Sequence, residues 1–141
     1  MTLVKTVQTT HQDLLIRVML AAAMADADVT DREFGRISSI VTSLPAFSGV
    51  DTNRIVENAA PVSTLLERED GIDRLLDEVA SGLPERLYET AYALAVEVVS
   101  ADVQAREEEL NFLLMLEDRL ELPKLPVAAI EYSARVRHRT L

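Results

Sequence analysis

The sequence predicts an all-α fold, a compact bundle of about seven helices built from two pseudo-repeated helix–acidic turn–helix units. Three observations carry this. Ala, Leu and Glu, all good helix formers, dominate a chain of 141 residues that has only four Gly and five Pro. Apolar residues recur at three- and four-residue spacing along almost every segment, and no stretch alternates in the manner of a strand. An acidic step, MADADVTDREF, interrupts the first apolar helical run, and a related step, VSADVQAREEELNF, returns later in the chain.

Taken in order, Gln12 to Ala25 reads as a helix with Leu15, Val18, Met19 and Ala22 on its apolar face and Thr10 at its N-cap. Thr30-Asp31-Arg32-Glu33 matches a capping box and opens a second helix that carries Phe34, Ile37, Ile40, Val41 and Leu44 inward. Pro45 and Ser48-Gly49 end it. Asp51 caps a short helix with Ile55 and Val56, and Pro61 suits the first turn of the next element, with Leu65 and Leu66 inward. Asp70-Gly71 punctuates before an amphipathic helix carrying Ile72, Leu75, Leu76 and Val79, for which Gly82 is a natural C′ residue. Pro84 opens a long helix through Tyr92, Leu94 and Val98. A further helix runs from about 105 to 120. Pro123 and Pro126 bracket the approach to a final helix, about 126–138, whose Arg135 and Arg137, with Arg139 just beyond, complement the helix dipole.

A shift of 76 residues (102 − 26 and 109 − 33) superimposes the two acidic steps. It pairs Asp26 with Asp102, Asp31 with Glu107, Glu33 with Glu109, Phe34 with Leu110, Ile37 with Leu113 and Val18 with Leu94. The units span about 11–45 and 87–121, joined by a helical connector of about 50–82, within one domain. Repeated units of this kind bury a shared apolar face.

Composition narrows the chemistry. The absence of Cys removes disulfides, thiolate metal sites and cysteine nucleophiles. A formal charge of −10 disfavours nucleic acid and oxyanion ligands and favours cations or a basic protein surface as partner. No apolar run approaches the roughly 18–20 residues of a membrane span, and MTLVKTVQTTHQD lacks a signal peptide's apolar core. A cytoplasmic protein is expected. No H-E-x-x-H, G-x-S-x-G or phosphate-binding glycine loop is present, no Glu-x-x-His pair suggests a di-iron bundle, and Ser100 beside Asp102 has no histidine to activate it. A non-catalytic protein is therefore expected.

The acidic steps have three readings. Asp26, Asp28, Glu33, Asp102 and Glu109 are candidate ligands of a divalent cation, calcium or magnesium, which take oxygen donors. The Asp26-x-Asp28-x-Thr30 run imitates the start of an EF-hand loop but has Asp31 where glycine is needed and Ile37 where the closing Glu belongs. Alternatively, the same carboxylates cap helices and complement their dipoles, each contributing roughly 0.3–1 kcal/mol, or form an acidic face that docks a basic partner.

AMADADVTDREFGRI, LPERLYETAYALAVEVVSADVQAREEEL and LPVAAIEYSARVRHRTL together resemble the tellurite-resistance TerB family, over most of the chain. That family is similar to domains of some DnaJ-type co-chaperones. The resemblance implies an all-helical bundle with internal pseudo-symmetry and a stress-related, non-catalytic role. The family's turn has Gly after its first Asp, where this chain has Ala27 and Val103. Asp28 finds Gln104, not an acid, at the matching position.

Overall fold

The computed structural model describes residues 9–24, 29–101 and 107–141. Among them are seven α-helices and no strand: α1 (His11–Met24), α2 (Asp31–Ser43), α3 (Asn53–Leu66), α4 (Gly71–Gly82), α5 (Tyr88–Ser100), α6 (Glu107–Arg119) and α7 (Lys124–Arg137). Short 3-10 turns, Pro45–Phe47 and Glu85–Leu87, precede α3 and α5. The chain is a compact helical bundle, as its composition and periodicity predict. No described helix is long and apolar enough to cross a membrane.

α1 and α5 form the centre. Residues Leu14 to Ile16 and Val18 to Ala23 of α1 are all buried, as are Ala91, Tyr92, Leu94, Ala95, Val96, Val98 and Val99 of α5. A helix apolar on nearly all sides belongs inside a bundle, and α1 packs against α5, α3, α4, α2 and α6. α5 packs against α1, α7, α6 and α2. Each central helix thus touches the helix that follows it and the helix that follows the other. The small faces of Ala21, Ala22 and Ala95 suit two helices packed closely side by side.

The helix ends keep the same shift as the acidic steps. α1 ends at Met24 and α5 at Ser100; α2 and α6 span Asp31–Ser43 and Glu107–Arg119, thirteen residues each. Both first-unit helices open on the predicted threonines. At α1 the Thr10 amide and hydroxyl donate to Asp13 Oδ2, each at 3.0 Å, and the Asp13 amide donates to Thr10 Oγ1 at 3.1 Å. At α2 the Glu33 amide donates to Thr30 Oγ1 at 3.2 Å, and the Thr30 hydroxyl donates to Glu33 Oε1 at 3.1 Å.

Five details differ from the sequence reading. Leu44 is 40% exposed rather than inward, because Pro45 turns the chain away at the end of α2. The segment after Asp51 is no short helix but fourteen residues long and runs through Pro61. Pro61 is exposed, so the Glu57 carbonyl it leaves without a helical donor is on the solvent side, where water can serve it. Leu65 and Leu66 are only half-buried. Gly82 ends α4 as a helical residue, and the cap is Leu83 in an extended conformation. A Cβ on Gly82 would come within 2.5 Å of Leu14 Cδ1, so this glycine admits the neighbouring helix instead of reversing the chain. Pro126 lies in the first turn of α7, which starts at Lys124, where a missing amide costs nothing.

One buried polar network ties α1 to α3. The Asp13 side chain is 2% exposed. Its Oδ1 accepts from Arg54 Nε at 3.0 Å and from Asn58 Nδ2 at 2.9 Å, while its Oδ2 accepts from the other edge of the same guanidinium. Asn58 Oδ1 accepts from Arg17 Nε at 2.9 Å. A buried carboxylate survives only if its oxygens are so occupied. Burial pushes the Asp13 carboxyl up; the Arg54 guanidinium, the Thr10 amide, Asn58 and the Thr10 hydroxyl outweigh it and hold it at about 2, below the usual 3.8.

A group whose carboxyl titrates lower in the folded state stabilises the fold above its unfolded value and loses that contribution as pH falls through the folded one. Roughly 2 kcal/mol should therefore disappear between about pH 4 and pH 2. Urea titrations across that window should show the loss in the native chain, and Asp13→Asn should flatten it. Two glycines offer a packing test. A Cβ on Gly71 would lie 2.0 Å from the Leu65 carbonyl oxygen, whereas one on Gly35 meets nothing within 4 Å. Gly71→Ala should cost about 1–3 kcal/mol and Gly35→Ala should gain about 0.5–1 kcal/mol, both read from denaturation midpoints.

Candidate functional site

The end of α5 and the starts of α2 and α6 meet in one cleft of about 210 Å³, lined by Thr30, Arg32, Glu33, Arg36, Val98, Ala101 and Glu109. Thr30 to Arg36 come from the start of α2, Val98 and Ala101 from the end of α5, and Glu109 from the first turn of α6. Two acidic positions far apart in sequence therefore share a cavity. Packing α1 on α5 brings this about: it places the C-terminus of α5 beside α2, with which it is in contact.

Glu33 and Glu109 are held differently. Glu33 is half-buried and fixed by its reciprocal cap with Thr30. Glu109 is 4% exposed, with Asp13 and Asn58 one of three buried polar residues among the described residues. Among the described residues, no buried side-chain nitrogen or oxygen lacks a hydrogen-bond partner, as a stable fold requires. The Thr30 hydroxyl is committed to the cap. The remaining three candidate ligands, Asp26, Asp28 and Asp102, lie outside the described residues. Among the described residues, no three acidic or histidine side chains are grouped so as to hold an ion.

Sequence reasoning missed Arg32 and Arg36. Neither has an ion-pair or hydrogen-bond partner among the described residues, and both line the cleft beside the two glutamates. The signal was in the repeat. The position matching Arg36 in the second unit is Phe112, 1% exposed in the core, so a charge replaces a core aromatic where the units otherwise agree. The cleft is therefore amphoteric, with two carboxylates, two guanidiniums and an apolar floor of Val98 and Ala101.

A second cleft adjoins it on the flank of α2. Arg32 and Arg36 also line this groove, with Ser39, Ile40 and Ser43 along the same helix and Glu97 of α5 opposite. Glu97 is clamped by the end of α7: Arg137 donates to Oε2, and His138 Nε2 meets Oε1 at 2.9 Å. Burial raises the Glu97 carboxyl, but Arg137 and His138 together hold it below the usual carboxylate value. The three tyrosines do not form a platform. Tyr92 is buried and donates to Glu131 Oε1 at 2.7 Å, Tyr88 donates to the Ala80 carbonyl, and Tyr132 is 59% exposed beneath Arg135.

No family model, no curated protein and no solved structure matches this chain.

Proposed function

We propose that this is a non-catalytic, stress-related binding protein of the tellurite-resistance TerB type, which takes a divalent cation, calcium or magnesium, between its two acidic turns. The observation that supports this reading is the shared cleft: Glu33 and Glu109, equivalent in the two units, line one cavity. Two further lining residues are sequence neighbours of the other candidates. Asp102 follows Ala101, and Asp28 stands two positions before Thr30. Oxygen donors of this kind suit hard cations, and a net charge of −10 favours their approach. The protein acts in the cytoplasm on this reading, and its cation does structural or sensing work.

A second reading is a metal-free interaction module whose acidic face docks a basic protein surface. Glu107 and Glu108 favour it: both are exposed on the first turn of α6, next to the cleft. Arg32 and Arg36 also offset the carboxylates within the cavity, which weakens the field that would hold a free ion.

Calorimetric and thermal titrations separate the two. On the cation reading, calcium or magnesium at tenfold excess over its Kd raises Tm by roughly 4 °C, while sodium chloride of equal ionic strength does not. Glu33→Gln, Asp26→Asn and Asp102→Asn should each reduce that shift. A response to divalent ions no larger than to sodium, or one that survives all three substitutions, sinks the cation reading and leaves the docking module.

A further inference from the structure

The groove on the flank of α2 points to a ligand of the opposite charge. We propose that it is a docking site for an acidic peptide segment of a partner protein, recognised through the guanidiniums of Arg32 and Arg36. This goes beyond the cation reading and does not depend on it.

Four observations carry the proposal. First, Arg32 and Arg36 are one turn apart on α2 and face the same groove. They lack partners among the described residues, whereas Arg17, Arg54, Arg68, Arg74, Arg119 and Arg137 are each engaged with a carboxylate. In a chain with 24 acidic residues and 14 basic ones, two guanidiniums one turn apart on one groove and engaged by no described carboxylate are a local concentration of positive charge. Second, Arg36 is half-buried, so part of its hydration is already gone and a bidentate carboxylate can replace the rest.

Third, the groove is elongated. It follows α2 from Arg32 to Ser43, about 16 Å at the helical rise, which fits an extended chain segment better than a single small anion. Fourth, the opposite wall is already neutralised. The charge of Glu97 is taken up by Arg137, which leaves the two α2 guanidiniums to set the sign of the groove, and His138 bonds the other oxygen.

The overall charge of −10 does not decide against this. At physiological salt the screening length is about 8 Å. Carboxylates elsewhere on the surface are largely screened from a ligand in the groove, while the two arginines touch it directly. The global charge slows the encounter; the local pair sets the dissociation rate. A specific consequence is that raising salt should first help binding, by removing the distant repulsion, before weakening it.

The test uses the whole chain and a fluorescein-labelled ten-residue peptide of alternating Asp and Glu, read by fluorescence anisotropy without divalent ions. Saturable binding is expected, with affinity falling roughly tenfold or more for each of Arg32→Ala and Arg36→Ala. Arg32→Lys with Arg36→Lys should keep part of it, because charge remains while the bidentate fork is lost. Both side chains lie outside the core, and unchanged circular dichroism and Tm would verify the fold. Glu33→Gln, which bears on the cation reading, should leave peptide affinity within about twofold. No saturable binding, or equal affinity for the double alanine variant, overturns the proposal. Binding of inorganic phosphate at the same arginines, with the acidic peptide ignored, overturns it in favour of a phosphate ligand.

Discussion

The constraint on which the structure rests is the mutual burial of α1 and α5. Both are apolar on almost every side, so neither can lie at the surface, and each satisfies the other. Fully burying one Leu or Val side chain contributes about 1.5–3 kcal/mol, and the two helices bury sixteen apolar residues between them. No polar interaction in the molecule competes with that. Everything else is arranged around the pair: α2 and α6 cover its flanks, α3 and α4 close one side against α1, and α7 closes the other against α5. Side-by-side packing also fixes where α2 and α6 begin. These two helices must return along the same central pair, which is how Glu33 and Glu109 come to line one cavity.

Much of this was legible in the sequence because it is written in periodicity. The apolar spacing identified the helices, and the shift between the acidic steps matched the ends of α1 and α5 and the spans of α2 and α6. Capping was legible too, since Thr10 and Thr30 sit at the points where a hydroxyl has amides to accept from. What could not be read was contextual. Pro61 reads as a helix start because a proline usually breaks a helix; on the exposed face of α3 it stands inside one. Gly82 reads as a C′ residue because that is the usual reason for glycine near a helix end; its actual role, making room for Leu14, is a tertiary contact. The buried network of Asp13, Arg54 and Asn58 was invisible for the same reason. Nothing in a charge forty-one residues away announces that it will meet the first turn of α1.

The candidate site was half legible. The acidic spacing led to Glu33 and Glu109, which the fold brings into one cleft, while Asp26, Asp28 and Asp102 lie outside the described residues. The basic half went unseen because charge was read as a total. A net value of −10 describes the far field, but binding is decided within a screening length of about 8 Å, and on α2 Arg32 and Arg36 offset Asp31 and Glu33. The census of ion pairs is the better guide. Six of the described arginines engage a carboxylate, four of them on another helix, whereas Arg32 and Arg36, one turn apart on the same groove, engage none, and there an external anion has something to gain.

The two units also show where the molecule departs from symmetry. Val18 and Leu94, and Ile37 and Leu113, are buried in both, as a shared apolar face requires. The differences fall on α2 and α6. Leu120 is buried where Leu44 is exposed, Glu109 is buried where Glu33 is half-buried, and Phe112 fills the core where Arg36 reaches the cleft. These three differences seat α6 more deeply, while Val41, buried where Glu117 is half-buried, and Phe34, half-buried where Leu110 is exposed, run the other way. Packing constraint on α6 limits what its buried side chains can do, because most changes there would open a cavity or strand a charge. α2 is held by fewer buried residues, Ile37 and Val41, and has polar surface to spare. In a duplicated fold the loosely held copy is the one free to carry recognition, and Arg32 and Arg36, which no described carboxylate engages, lie on that copy.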